Sequence, residues 1–188
     1  MTEARHPITD RPYLRYCPSC GSTDLHRPIV DRLVCKTCGF ELYFNAASAV
    51  IGLITDEQGR LLVTIRAREP AKGRMGLPGG FVDLGETAEQ ALAREIKEEL
   101  GLELARARFL CTEPNVYPYK GVTYVTVDMA FVCKVMDPNK AAAADDVLQI
   151  MWLYPSQIRP EDFGFRSMAN VFKRFVHEGL GPAGPCDR

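Results

Sequence analysis

No stretch of the chain approaches eighteen uncharged apolar residues, so nothing in it reads as a membrane span. Glu3, Arg5 and Asp10 already charge the first ten residues and no apolar run follows them, so no secretory leader is expected and the cytoplasm is the expected compartment. Charge of one sign is also missing: 23 Lys and Arg face 24 Asp and Glu, for a formal net charge of -1. No global field therefore draws the chain onto nucleic acid or anionic lipid. Histidine is scarce, and His6, His26 and His177 fall in an arm, a cysteine-rich segment and a closing helix, so none is assigned a catalytic role. The seven cysteines are odd in number and four of them fall in two C-x-x-C pairs, a pattern that metal binding explains better than a disulfide framework. Cys111 and Cys133 lie in or beside apolar strand sequence and read as core, while Cys186 sits in the tail.

The chain does have 46% hydrophobic and 25% charged residues over 188 positions, enough for one domain with a substantial core and a small module beside it. The expected layout is an arm over 1–13, a cysteine module over 14–45, a main domain over 46–178 and a Gly- and Pro-rich tail over 179–188. Apolar runs at 50–54 and 61–65 flank turn residues at 56–59 and predict a hairpin of buried strands. Residues 73–85 hold five glycines and one proline, too many for a regular element. A helix is expected from Thr87 to Leu100, with Thr87 and Gln90 as a capping box and Gly101 as its stop. Strands are expected at 122–135 and 147–154, and Phe165, Met168, Phe172 and Phe175 recur at helical spacing before the tail.

On the first of these helices Glu95, Glu98 and Glu99 fall within an arc of roughly 100°, beside an apolar stripe of Leu92, Ile96 and Leu100. Like charges so spaced oppose each other by about 0.2 to 0.5 kcal/mol per pair on an exposed helix, so the face calls for a cation. Carboxylates are hard oxygen ligands suited to Mg²⁺ or Mn²⁺, ions that complete their shell with water and phosphate oxygens. From the helix alone a solvated acidic face, with Arg94 pairing to Glu98, explains the same residues.

The glycine loop shifts that balance. From Gly80 to Leu102 the chain fits every fixed position of the pattern G-x5-E-x7-R-E-U-x-E-E-x-G-U, where U is a bulky aliphatic residue, and Leu77-Pro78-Gly79-Gly80 leads into it. In this it resembles the Nudix hydrolases. The resemblance implies an α/β (α+β) fold, an α-β-α sandwich around a mixed sheet. It further implies hydrolysis of the diphosphate bond in a nucleoside diphosphate derivative, with release of a nucleoside monophosphate and Mg²⁺ or Mn²⁺ as cofactor. Carried over residue by residue, Glu95, Glu98 and Glu99 become metal ligands, with one of them, or an acid from a later loop, activating water. Gly79 becomes a further ligand through its carbonyl, Glu86 and Arg94 a pair that holds loop to helix, and Gly80 and Gly101 supports of the box. Asp145 and Asp146, shortly ahead of Trp152, are candidates for the later acid, Asp146 being the one carried forward, with Glu113 behind them.

Cys17-Pro-Ser-Cys20-Gly and Cys35-Lys-Thr-Cys38-Gly, 14 residues apart, have the spacing of a closed tetrahedral Zn²⁺ site with no position left for catalysis. A segment so small needs the metal to fold. Zinc ribbons also touch nucleic acid, but residues 1–45 carry six Lys and Arg against five Asp and Glu without a basic aromatic stripe, so a structural or homodimer-forming role is expected. A ribbon ahead of this box resembles the layout of NADH, FAD and ADP-ribose pyrophosphatases. The chain departs from the S-Q-P-W-P-F-P-x-S run of the NADH enzymes, reading Thr112-Glu113-Pro114-Asn115-Val116-Tyr117-Pro118-Tyr119-Lys120. Here Tyr117 or Tyr119 can stack on a base, or the run can be a rigid proline turn. The alternative function is a non-catalytic Nudix ligand sensor whose ribbon contacts nucleic acid.

Overall fold

The computed structural model describes residues 14–29 and 31–179. The expected arm with His6, and the expected tail beyond Gly179 with Cys186, lie outside the described residues. The chain divides into two compact units, one comprising Met1–Ala46 with Val116–Val125 and the other Ala47–Asn115 with Thr126–Arg188.

In the first unit β1 (Leu25–Ile29), β2 (Arg32–Cys35) and β3 (Glu41–Tyr43) form a small antiparallel sheet. Among the described residues its buried apolar side chains are Leu33, Cys17 and Cys35, too little apolar area to hold three strands without a further restraint.

The second unit is built on two three-stranded sheets. One has the order β4 (Ala47–Ile54), β8 (Val122–Val135), β7 (Leu104–Tyr119), with β4 and β8 parallel, and the other has the order β6 (Met75–Gly76), β5 (Leu61–Arg66), β9 (Val147–Leu153), all antiparallel. Two of these strands, β7 and β8, have their linked ends within Val116–Val125 of the first unit. Period-two alternation sends side chains to opposite faces. Val50, Ile54, Leu62, Phe131 and Cys133 pack with Leu92, Ile96 and Leu100 of α1 (Ala88–Leu100). Ile51, Leu53, Leu61, Val63 and Ala130 pack with Met168, Val171, Phe172 and Phe175 of α2 (Arg166–His177). The result is a layer of mixed sheet between two helices, as the sequence resemblance implies. Gly52 faces α1, where a Cβ would just reach van der Waals contact, 3.4 Å from Leu92 Cδ1 and 3.5 Å from Ile96 Cδ1.

Helix α1 begins and ends where its caps dictate. Thr87 accepts from the Gln90 N–H at 3.2 Å, the Gln90 side chain accepts from the Thr87 N–H at 2.8 Å, and Gly101 turns left-handed with φ 68°.

Two expectations need correction. Residues 50–54 and 61–65 do not pair as a hairpin: beyond a single bridge, Thr55 to Leu61, they diverge into different sheets. The reason is that both edges of β4 are taken, one by β8 and the other by the glycine loop, through Val50 N–H to Gly80 O at 2.8 Å, Gly52 N–H to Pro78 O at 2.8 Å and Val82 N–H to Ser48 O at 3.0 Å. Nor is Thr112 to Lys120 a proline turn, since nearly all of it continues β7. The four-residue spacing of Pro114 and Pro118 puts both missing N–H groups on one edge of the strand, and β7 ends its sheet, so an outward-facing pair loses no ladder bond.

Candidate functional site

The glycine loop and α1 build one site. Because residues 78–82 run along β4, the loop is pinned against the sheet before it enters α1. Gly79 has φ 139°, and a Cβ there would run into the Val50 carbonyl, so no other residue type fits. The Gly79 N–H donates to Glu99 Oε2 at 3.0 Å, and a Cβ on Gly80 would meet the Glu95 carboxylate.

Arg94 ties the rest together. Its guanidinium donates from Nε to Glu86 Oε1 at 2.8 Å and from NH2 to Glu86 Oε2 at 3.0 Å, a two-point pair. NH2 also reaches the Phe81 carbonyl at 3.0 Å, and NH1 reaches Glu95 at 2.8 Å and Glu98 at 3.1 Å. Hydrogen bonds from Arg94 hold the Glu86 carboxyl below its usual range. Glu95, Glu98 and Glu99 therefore share a helix face without gathering their oxygens at a point. Like charges part, and the nearest cation takes two of them.

Asp146 joins Glu99 from the loop before β9. Burial first, and then the charges of Asp146 and Glu95 with an Asp146 contact, push the Glu99 carboxyl up to about 9 against the opposing Gly79 N–H. Burial likewise raises Glu95, against the pull of Arg94. The loop explains why Asp146 and not its neighbour points inward. Ala142 and Ala144 donate backbone bonds to Leu100 O and Glu99 O at the end of α1, at 3.1 and 2.9 Å. Asp145 then takes a left-handed φ of 48° and turns outward to Arg68 at 3.6 Å, and Asp146 comes within 3.9 Å of Arg66. Arg66 is itself fixed by donation to the Pro70 carbonyl at 2.8 Å and by the Phe165 ring, 5.3 Å away. Sequence reasoning missed Arg66, because nothing in β5 marks it and only the pairing of β5 with β9 brings it to the loop.

Glu99 is buried with one oxygen facing an N–H, and the half-buried carboxylate of Asp146 acts on it from the loop before β9, so the two offer hard oxygen donors that a divalent cation suits. The remaining candidates have other partners. Glu113 accepts from the Asn170 side chain on α2 at 3.0 Å. Tyr117 and Tyr119 belong to the first unit, their rings 6.1 Å apart with the Lys120 ammonium 5.1 Å over Tyr119.

The sulfurs of Cys17, Cys20, Cys35 and Cys38 all lie within 4.8 Å of one another, the one such group of potential metal ligands among the described residues. Cys17 and Cys38 are 3.7 Å apart, Cys20 and Cys35 3.6 Å. A tetrahedron with Zn–S bonds of about 2.3 Å has S···S edges of about 3.8 Å, so the four thiols have the dimensions of a zinc site. Burial works to raise Cys35, but the N–H groups of Cys38 and Thr37 and the neighbouring thiols outweigh it and bring the group down to about 6.

The NUDIX domain family pattern matches residues 46–175. An ADP-ribose pyrophosphatase of Methanocaldococcus jannaschii is 49% identical over 63 residues, 34% of this chain and 37% of that protein. A NAD-capped RNA hydrolase NudC of Escherichia coli is 28% identical over 131 residues, 70% of this chain and 50% of that protein. The chain thus spans half or less of the length of these curated relatives. Among solved structures, a NUDIX hydrolase from Nitrosomonas europaea superposes with a TM-score of 0.68 at 26% identity, covering 88% of this chain and 92% of that one. The NUDIX domain of Shewanella oneidensis NrtR, complexed with ADP ribose, has the same fold, with a TM-score of 0.58 at 20% identity over 73% of this chain and 90% of that one.

Proposed function

Because the chain belongs to the Nudix family, we propose that it hydrolyses the diphosphate bond of an adenosine diphosphate derivative, of the ADP-ribose, NADH or FAD kind, with Mg²⁺ or Mn²⁺. The observation that carries this reading is the hydrogen bond from the Gly79 N–H to Glu99, because it ties the glycine loop to the buried acid of α1, whose carboxyl Asp146 also influences from the loop before β9. The names of the relatives, an ADP-ribose pyrophosphatase and NAD-capped RNA hydrolases, point to the same substrate class.

In this reading Glu95, Glu99 and Asp146, with the Gly79 carbonyl, hold the cation. A bound divalent ion supplies charge neutralisation for the diphosphate oxygens. Glu98, whose side chain is 50% exposed, is the box carboxylate most open to water and takes the proton from the attacking molecule. Arg94 and Glu86 keep loop and helix in register, and Arg66 keeps Asp146 turned inward. Glu113, tied to Asn170, has no part in the cation site, and Tyr117 and Tyr119 remain candidates for base stacking.

The cysteine module, taken as 14–45, is a structural zinc ribbon ahead of a catalytic domain taken as 46–178. It favours a homodimer over a nucleic-acid contact, since its charges balance. No helix among the described residues is long and apolar enough to cross a membrane. A reducing cytoplasm, where thiols stay available to zinc, suits the four cysteines. A panel of NADH, ADP-ribose, FAD and diadenosine polyphosphates with Mg²⁺ or Mn²⁺ tests the proposal: at least one should release a nucleoside monophosphate. A silent panel, combined with ligand-dependent binding to nucleic acid, would instead support a sensor.

A further inference from the structure

The α2 side of the sheet holds a buried acid that the cation site does not use. Asp128 on β8 is 4% exposed, and its Oδ1 accepts from the Thr126 hydroxyl at 2.6 Å. Among the described residues this is the one donor the carboxylate has, and none of the ion pairs includes it. A carboxylate only accepts hydrogen bonds, and the second oxygen of Asp128, which has no protein donor, is not among the fully sealed unpartnered atoms of the described residues, so it stays open to a further donor.

The register shows what surrounds it. Asp128 lies opposite Ala49 and Thr126 opposite Ala47, while the next pair, Ile51 and Ala130, enters the core beneath α2. The two alanines are half-buried, and they lower the sheet face just where Ile51 and Leu53 stop filling it. Ala49 also bridges to Phe81, which follows the glycine loop. Asp128 is therefore two strand spacings, about 10 Å, from the loop that meets Glu99 and Glu95. That separation suits the base of a nucleoside whose phosphates sit at the loop.

We propose that Asp128, oriented by Thr126, is a specificity-determining residue that accepts a hydrogen bond from the exocyclic amino group of an adenine laid over Ala47 and Ala49. The inference rests on the reading that the chain takes adenosine diphosphate derivatives. One oxygen is occupied by Thr126, which leaves the other for a single N–H donor. A ring oxo group at the same place is repelled. A ribose hydroxyl offers the same donor chemistry and must be separated by experiment.

The test is calorimetric binding of ADP-ribose, its hypoxanthine counterpart and its adenosine 2′-deoxy counterpart to the full chain, with no Mg²⁺ or Mn²⁺ added so that nothing turns over. The wild type should bind the adenine ligand at least about ten-fold more tightly than the hypoxanthine one, because the site's acceptor is otherwise left facing an oxygen. Asp128→Asn, whose amide can donate to an oxo group, should narrow or reverse that preference, and Thr126→Val should narrow it. Equal binding of the two bases by the wild type overturns the inference whatever the variants do, as does binding of neither. A preference that follows the 2′-hydroxyl instead of the amino group also overturns it. Tight, base-selective binding without turnover once Mg²⁺ is added would sink the catalytic reading and leave this one standing.

Discussion

The backbone N–H of Gly79 donates to the carboxylate of Glu99 across twenty residues of chain, at 3.0 Å. That contact joins the least replaceable backbone position of the loop to the most deeply buried acid of the helix.

Gly79 and Gly80 should therefore fail in different ways. A Cβ at Gly79 meets main chain, the Val50 carbonyl, with φ at 139°, whereas a Cβ at Gly80 meets only the end of the Glu95 side chain. Gly79→Ala is expected to cost more than about 3 kcal/mol and to compromise folding. Gly80→Ala should stay folded and lose turnover. Thermal melts beside activity measurements separate the two, and equal melting temperatures for both variants would contradict the assignment.

The raised Glu99 carboxyl ties stability to pH. Its folded value is about 9 against an ordinary 4.5, so between those limits the folded chain keeps a proton that the unfolded chain has lost. The contribution of this carboxyl to stability is then full below about pH 4.5 and falls as pH rises toward about 9, by on the order of 1 kcal/mol per unit. Without added divalent cation, Glu99→Gln should melt higher than wild type at pH 8, with the gap closing near pH 5. Mn²⁺ should shrink the gap by stabilising the wild type alone. A gap that grows toward low pH would show the sign to be wrong.

Arg66 and Asp145 give a paired test of how the later acid is placed. Arg66 lies 3.9 Å from Asp146, whereas Asp145 pairs outward with Arg68. Removing Arg66 should free Asp146, and Arg66→Ala is expected to weaken Mn²⁺ binding about ten-fold or more, the scale set by outer supports of metal ligands. Asp145→Asn should leave it unchanged. Titration of Mn²⁺ by its paramagnetic signal reads both. Equal affinities for wild type and Arg66→Ala would remove Arg66 from the account.

The four thiols predict one zinc per chain by elemental analysis, with Cys35→Ser losing it. The ribbon's core is small, so loss of zinc should also remove protection of β1–β3 amides from hydrogen exchange. Full protection in a zinc-free chain would show that the sheet stands without the metal.

Much of this was readable from the residues. The caps at Thr87 and Gly101, the arc of acids and the two cysteine pairs are local patterns, and local patterns survive into the fold. What depends on distant pairing was not readable. Residues 50–54 and 61–65 look like partners because they are neighbours in sequence, but the glycine loop and β8 take the edges that pairing would need. Pro114 and Pro118 argue against a strand until their common spacing and the edge position of β7 are known. Arg66 and Asp128 carry no motif at all, and only the register of β5 with β9 and of β4 with β8 gives them neighbours.

The most direct test is turnover of ADP-ribose as a function of Mn²⁺ for wild type, Glu98→Gln and Glu99→Gln, followed by release of AMP. Cation-dependent turnover in the wild type is predicted, with losses of about 100-fold or more in both variants while they stay folded, in line with removal of a catalytic base or of charge stabilisation. Undiminished turnover in Glu99→Gln, or wild-type turnover that ignores Mn²⁺ and Mg²⁺, would contradict it.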